Sequence, residues 1–478
     1  MIRGNFGAGT QGSLCVKTNK FTHAPATPCI PQFALKFQRR PIEVACDGPD
    51  ISSDGGVLLL RQLDERLGLT AGLGALLPDD RYCQRIRHSR LEQLRQRVYQ
   101  ICLGYEDCND ADWLRTDPAL RLACDAEDGA LSSQPTLSRF ENATTGRELN
   151  RLWRELEHKY VEGLDVAETL VVLDIDSTDD PTHGGQQLSF FHGFYDQHMF
   201  HPLLVFDALS GQLITALLRP GRAHAARGSA TILSRLIRAI RRRCPRAAIL
   251  VRGDSAFAMP RLLERLEQLN VELGQVDYVV GLAQNPRLLA AANPWRVRVA
   301  EQFEAGGFER WFGWFSYAAK SWPADRHVIV KVERSDRGEN PRFLVTSLDQ
   351  FPPDLIYDQV FCPRGQSENF IKDFKNAVGA DRLSCHRFVA NAFRLLLHAI
   401  AYRLMHALRA TVAKVAPVVV APTGVLRLAT VQMDTLRLRL LKVAAHVVTS
   451  VRRVCVRLPR SFPLAEVFYA VARALGAT

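Results

Sequence analysis

Paired cysteine motifs are missing from this chain. Its 11 cysteines are scattered, Cys102 and Cys108 being the nearest pair, and no Cys-x2-Cys occurs. That excludes a zinc ribbon or a dithiol redox motif, and in a chain of 478 residues the cysteines read as free thiols of a reducing cytosol. Membrane-crossing runs are missing too: the longest apolar-looking stretch, Val389 to His406, carries Arg394, His398 and Arg403, so no membrane span is expected. Residues 1–32 lack the basic, apolar and cleavage regions of a secretory signal. They hold Gly, Thr and Pro without periodicity, and residues 1–40 read as a disordered leader. Acidic residues are in deficit, 50 against 61 Lys and Arg, giving +11 and a pI of about 9.2. A polyanionic partner such as nucleic acid fits that balance. No nucleophile–base motif stands out, which points away from covalent catalysis. What remains is an ordinary globular composition, 47% hydrophobic, in a chain long enough for two or three domains.

The most informative segment is Phe361-Cys-Pro-Arg364-Gly-Gln-Ser-Glu368-Asn-Phe-Ile-Lys372-Asp-Phe-Lys375. Pro363 suits the first turn of a helix, which is expected to begin at about Cys362. Arg364, Glu368, Lys372 and Lys375 then share one face. One carboxylate among three cations suits a metal-binding acid beside a phosphodiester; a solvated face of i,i+4 ion pairs is the plainer reading. Two upstream segments bear on the choice. Leu170-Val-Val-Leu-Asp174-Ile-Asp176-Ser and Ala247-Ala-Ile-Leu-Val-Arg252-Gly-Asp254-Ser are apolar runs that end in an acid followed by Ser. An acid at the end of a buried strand projects into the crevice where open α/β sheets bind ligands. Two such Asp residues and a helix-borne Glu can hold two divalent ions for phosphoryl transfer.

These segments resemble the Asp-Asp-Glu (DDE) transposases of bacterial insertion sequences. The helix is similar to their Tyr-x2-Arg-x3-Glu-x6-Lys signature at Arg364, Glu368 and Lys375, with Phe361 in place of the Tyr, so a hydroxyl expected there is missing or supplied elsewhere. Gly104-Tyr-Glu-Asp, Ser133-Gln-Pro-Thr-Leu-Ser-Arg, Asp179-Asp-Pro-Thr-His-Gly-Gly-Gln, Phe190-Phe-His-Gly-Phe-Tyr, Leu218-Arg-Pro-Gly and Tyr278-Val-Val-Gly-Leu extend the resemblance over roughly residues 40–460. It implies that Asp176, Asp254 and Glu368 are the catalytic acids and the ligands of two Mg²⁺ ions, with Mn²⁺ able to substitute. It further implies cleavage at the ends of an element and strand transfer into target DNA. The expected partners are double-stranded DNA, both terminal repeats and target, and a second copy on that DNA; the expected location is cytoplasmic, at the nucleoid.

The expected fold class is α/β, a ribonuclease-H-like core at 166–268 and 352–415 interrupted by a β-rich insertion at 269–351. A helical DNA-end-binding domain at 41–165 precedes it and a C-terminal region at 416–478 follows. In the helical part, Ser89-Arg-Leu-Glu92 and Thr145-Gly-Arg-Glu148 are capping boxes, and Gly104 ends the first of these helices. Six Arg and a single acid between Arg81 and Arg97 suggest a DNA-facing surface, or else a basic solvent face. Strands are expected at Thr169–Asp174, Leu188–Tyr195, Pro202–Phe206 and Ala248–Arg252, with an edge segment at Gln212–Leu218 and a helix over Ser229–Arg243. Asp176 to Asp254 spans 78 residues but Asp254 to Glu368 spans 114, hence the insertion, with strand-like runs at Val279–Leu282, Arg296–Ala300, Phe308–Tyr317, His327–Val332 and Phe343–Thr346. Trp295, Trp311, Trp314 and Trp322 fall there, as core residues or as a platform for an unpaired base.

Individual residues divide as follows. Asp174 and Asp176 lie two apart and face the same way; Asp176, at the strand end, is the preferred acid. Arg252 is expected to alternate away from the acid face and to serve as a structural ion-pair partner. Asp179 and Asp180 read as turn or capping residues. His183, His192, His198 and His201 are a poor zinc set. Arg364, Lys375, Lys372 and Arg219 are candidate phosphate contacts, Lys372 also being suited to pair with Glu368. Two rival functions share these residues, a structure-selective nuclease and a non-catalytic DNA-binding protein derived from a transposase.

Overall fold

The computed structural model describes residues 33–35, 42–44, 48–126, 129–421 and 424–477. The expected leader over residues 1–40 lies outside them except for 33–35. The chain divides into two units, Met1–Asp50 and Ile51–Thr478. In the first, Phe33–Leu35 pairs antiparallel with Ile42–Val44, Phe33 opposite Val44.

The second unit is built on a mixed sheet. Its strands are β1 (Leu170–Ser177), β2 (Leu203–Asp207), β3 (Leu213–Leu217), β4 (Ala248–Gly253), β5 (Val276–Leu282), β6 (Glu309–Tyr317), β7 (Arg326–Ser335) and β8 (Gly338–Thr346), in the order β6-β7-β8-β5-β4-β1-β2-β3. β4 runs parallel to both β1 and β5, and the other pairs are antiparallel. The parallel centre follows from composition. Val171, Val172, Leu173 and Ile175 of β1 are all buried, as are Ile249 and Val251 of β4; such continuous apolar runs suit strands covered on both faces.

The strand expected at Leu188–Tyr195 is shorter and turns back. Phe190–His192 pairs with Gln197–Phe200, which also pairs with Asp180–Pro181, making a small sheet apart from the central one. Gly193 and Asp196, whose φ is 53°, supply the reversal, since Asp tolerates the left-handed region better than most residues. Arg296–Ala300, expected as a strand, is helical within Asn293–Gln302. Arg296-Val-Arg-Val alternates like a strand, but Pro294 in the first turn starts a helix and Val299 is its buried residue. The later runs do form strands, and β6, β7 and β8 extend the central sheet itself.

Two crossover helices cover the parallel strands. Helix α1 (Ser229–Arg243) leads into β4 and buries Ile232, Leu233, Leu236, Ile237 and Ile240, each worth about 1.5–3 kcal/mol. On its other side Arg235 pairs with Glu157 and Arg238 with Glu272. Helix α2 (Pro260–Leu273) joins β4 to β5. Helix α3 (Phe388–Val415) is apolar and long enough to cross a membrane, but 89% of its most apolar window is buried within the protein. Its polar residues find partners inside the protein: Arg394 meets Glu141, His398 Nδ1 meets the Val378 carbonyl, and Arg403 donates to the Leu156 carbonyl.

Thr145 and Glu148 form the expected reciprocal capping box. At Ser89 only half of it exists. Ser89 accepts from the Glu92 N–H, but the Glu92 carboxylate turns to His88. Gly104 takes φ 89° just beyond the helix Arg90–Cys102, as a C-terminal stop requires. The basic stretch is largely neutralised: Arg81 pairs with Asp79, Arg95 with Asp125 and Arg97 with Glu141, leaving Arg85 and Arg87 exposed. Glu141 is the keystone here. It is 1% exposed and accepts from Arg97 Nε and Arg394 Nε, both at 2.8 Å. Burial alone would raise its carboxyl; the two guanidiniums outweigh that and hold it at about 2. Its stabilising contribution is therefore present above the ordinary value of 4.5 and lost only as pH falls through about 2. Replacing Glu141 by Ala strands two buried cations and should cost about 3–5 kcal/mol in urea denaturation; a loss under about 1 kcal/mol would show that the pair does not tie α3 to the helices before it.

Candidate active site

The sheet register sets the acids. Arg252 of β4 stands opposite Asp174 of β1, and Gly253 opposite Ile175, so Asp176 and Asp254 follow at neighbouring strand ends. Arg252 is two residues before Asp254 and lies on the acid face, not away from it. Its ion-pair role is as expected: Nε and Nη2 grip Asp174 at 2.7 and 2.8 Å, while Nη1 donates to the Val360 carbonyl at 2.7 Å. Asp174 is thereby held by a single buried guanidinium, while Asp176, at the strand end, is the more exposed of the two acids of β1.

Asp176 is 8% exposed. Its Oδ1 accepts from the Ser177 N–H at 2.9 Å and its Oδ2 from Arg364 Nη2 at 2.7 Å. Burial pushes this carboxyl up to about 6; the Arg364 charge lowers it and the Asp254 charge raises it. Asp254 is half-buried and caps the turn Ser255–Phe257 through the Ala256 N–H. Gly281 of β5 makes room for that turn, since a Cβ there would lie 2.9 Å from the Ser255 nitrogen. Beside Asp254 opens a cavity of about 370 Å³, lined among others by Ser255, Asn340, Arg342, Tyr357 and Phe361.

Glu368 arrives on a segment that is helical from Pro353 rather than Cys362. Pro363 sits inside it, and the missing N–H accompanies a wide turn at Ile356–Phe361 and a tight one at Cys362–Gly365 before regular helix resumes at Gln366–Lys372. Arg364 still faces the acids, with a buried Nε that has no acceptor among the described residues. Glu368 and Lys372 are exposed and do not pair with each other, contrary to expectation; neither has a hydrogen bond or ion pair among the described residues. Lys375 Nζ binds Asp179 through its carboxylate and its carbonyl, both at 3.0 Å. Asp180 is 1% exposed with both oxygens unpartnered among the described residues, and burial, then Asp381, raises its carboxyl strongly.

Arg219 is not placed to meet DNA. It is 3% exposed, and its guanidinium donates to the carbonyls of His201, His224, Ala225 and Arg227, fastening a loop. His192 and His201 do come together, rings 5.3 Å apart, with Tyr195 against both. The segment Phe190-Phe-His-Gly-Phe-Tyr stands out in the sequence, but nothing in it marks Tyr195 as the ring that meets both histidines.

Two carboxylates at adjacent strand ends, one buried, suit a hard divalent cation, and Glu368, free one helical turn beyond Arg364, is the third donor available. Among the described residues no three His, Cys, Asp or Glu side chains are already gathered at metal-binding distance. Burying the Asp176 carboxyl carries a proton-linked cost. Because the folded value of Asp176 lies above the ordinary 3.8, its contribution to stability is full below about 3.8 and is lost as pH rises through about 6. Relative to Asp176→Asn, the wild-type chain in chelator should lose roughly 2–3 kcal/mol of stability between about pH 4 and pH 7. Parallel stability curves for the two proteins would contradict this.

The family model for transposase DDE domain group 1 matches residues 34–478. No curated protein matches. Among solved structures, the cryo-EM piggyBac transposase synaptic complex with hairpin DNA aligns over 73% of this chain and 74% of that one, at 10% identity and a TM-score of 0.40, too loose a likeness to argue from. The match over nearly the whole chain is what decides: this protein belongs to the DDE transposase family, transposase DDE domain group 1.

Proposed function

We propose that this chain is an insertion-sequence transposase of the Tyr-Arg-Glu-Lys type that cuts DNA at its element's ends and joins them to target DNA, using Asp176, Asp254 and Glu368 with two Mg²⁺ ions. The observation that carries the reading is the in-register placement of Asp176 beside Asp254, with Arg364 closing on Asp176 from the Glu368 helix. The strand order β3-β2-β1-β4-β5 supports a ribonuclease-H-like core that takes in β5 (Val276–Leu282) besides 166–268 and 352–415, so that of the expected insertion at 269–351 the strands β6–β8 remain as added elements. The helical part at 41–165 is proposed to bind the element ends.

Bound divalent ions supply charge neutralisation at the phosphodiester and lower the pKa of the attacking hydroxyl. Asp176 and Asp254 would hold them from the sheet and Glu368 from the helix. Arg364, which holds Asp176 through Nη2 and is partly exposed, would set its charge beside a phosphate brought to that acid. Exposed Lys372 adds charge along the strand, and Lys375 reaches a phosphate by exchanging it for Asp179. Two ends must be joined, so a dimer on DNA, in the cytoplasm at the nucleoid, completes the proposal.

Cleavage of duplexes carrying the DNA that flanks this chain's own gene tests it. Each of Asp176→Ala, Asp254→Ala and Glu368→Ala should lower the rate by at least about 10³-fold with DNA affinity little changed. Cleavage without joining would make the protein a nuclease, and binding without cleavage by the wild type would refute catalysis. Arg364→Lys should recover only part of the rate lost in Arg364→Ala, because a point charge lacks the planar fork; full recovery would assign Arg364 a charge role alone.

A further inference from the structure

Phe361 offers no hydroxyl at the position where the signature has one. Its ring packs 6.0 Å from Tyr357 against a small cluster of Val279, Ile329 and Leu344. A different element carries a phenol on a hairpin fastened to the chain leaving β1. The hairpin Phe190–His192 and Gln197–Phe200 is anchored directly to the chain leaving β1: Phe200 stands opposite Asp180, and Gln197 Nε2 donates to Asp179 Oδ2 at 3.0 Å. Its turn, residues 193–196, folds Tyr195 back so that the ring rests 5.2 Å from His192 and 6.0 Å from His201. The adjoining Phe194 is 84% exposed, edge-on to Tyr195 at 5.0 Å.

The Tyr195 hydroxyl has no hydrogen-bond partner among the described residues. It stays protonated at neutral pH, raised by burial and then by the charges of Asp179, Asp176 and Asp254. That is a neutral O–H donor, unpartnered among the described residues, on a hairpin tied to Asp179 and Asp180 just past the end of β1. A phosphate oxygen brought to the acids is an acceptor of the right kind, and an exposed aromatic ring next to it suits a nucleobase.

We propose that Tyr195 is a substrate-contacting residue of this site, its hydroxyl donating to a phosphate oxygen of the DNA strand held at Asp176 and Asp254, with Phe194 stacking on a base beside it. The inference rests on the proposed transposase function. Tyr195 thus stands in for the hydroxyl that Phe361 lacks, from a different element of the fold.

The test uses the full chain, the duplexes carrying the gene's flanking DNA, and the variants Tyr195→Phe, Tyr357→Phe and Phe194→Ala, each checked for an unchanged melting transition. Tyr195→Phe should lower the single-turnover cleavage rate about 10²-fold, with the dissociation constant for DNA within about threefold. A methylphosphonate at the scissile position, in one of its two stereoisomers, should slow the wild type and erase its difference from Tyr195→Phe, which a merely structural tyrosine would not do. Phe194→Ala should weaken DNA binding about tenfold and relieve the quenching of 2-aminopurine placed at the cleaved end. Wild-type cleavage with Tyr195→Phe within twofold of it, or a loss confined to Tyr357→Phe, overturns the inference and leaves the transposase reading standing. A wild type that binds but does not cleave overturns both.

Discussion

One guanidinium organises the centre of this protein. Arg252 of β4 holds Asp174 of β1 with two hydrogen bonds and the Val360 carbonyl with a third. It therefore fixes the register of the two parallel strands and docks the helical segment that carries Glu368 against them. A buried ion pair of this kind adds little net stability, because desolvation of both ions offsets their attraction. Its geometry is specific, however. A one-residue slip of β1 against β4 would leave both charges buried and unpaired, at several kcal/mol each, and would separate Asp176 from Asp254.

With the register fixed, the remaining charges around the site pair off. Arg364 neutralises Asp176 and Lys375 neutralises Asp179, so two acids are kept from facing each other unshielded. Asp176 nonetheless remains unusually easy to protonate, since burial and Asp254 together outweigh Arg364. A stronger positive charge, as the proposed function requires, would relieve that. The exposed, unpaired Glu368 is in keeping with that: a third carboxylate brought closer without a cation would add repulsion.

Much of this was legible in the sequence. Apolar runs that end in acids gave β1 and β4 and both Asp residues, and turn chemistry located Gly104 and the Thr145 cap. Losses came where a local signal met a tertiary one. Pro363 marks a helix start in most contexts, but here the helix begins at Pro353 and absorbs the proline with irregular turns. Arg296-Val-Arg-Val alternates as a strand should, yet a proline-started helix claims it. Arg219 and the arginines near 95 look like a DNA surface by composition; carbonyls of its own loop take up Arg219, and carboxylates distant in sequence take up Arg95 and Arg97. The side assigned to Arg252 failed for a simpler reason, as residues two apart on a strand share a face. Tyr195 was hidden because its importance depends on a hairpin turning back toward acids about 20 residues upstream and 60 downstream, which no local pattern encodes.

The central claim is that three segments far apart in the chain form one divalent-ion site. Loading the protein with Fe²⁺ in place of Mg²⁺, in the presence of ascorbate and peroxide, generates hydroxyl radicals that cut the backbone beside the bound ion. On DNA carrying the element ends, the account predicts cuts clustered at residues near 176, 254 and 368, all suppressed by excess Mg²⁺. Cuts that spare the segment around Glu368, or that cluster elsewhere in the chain, would contradict it.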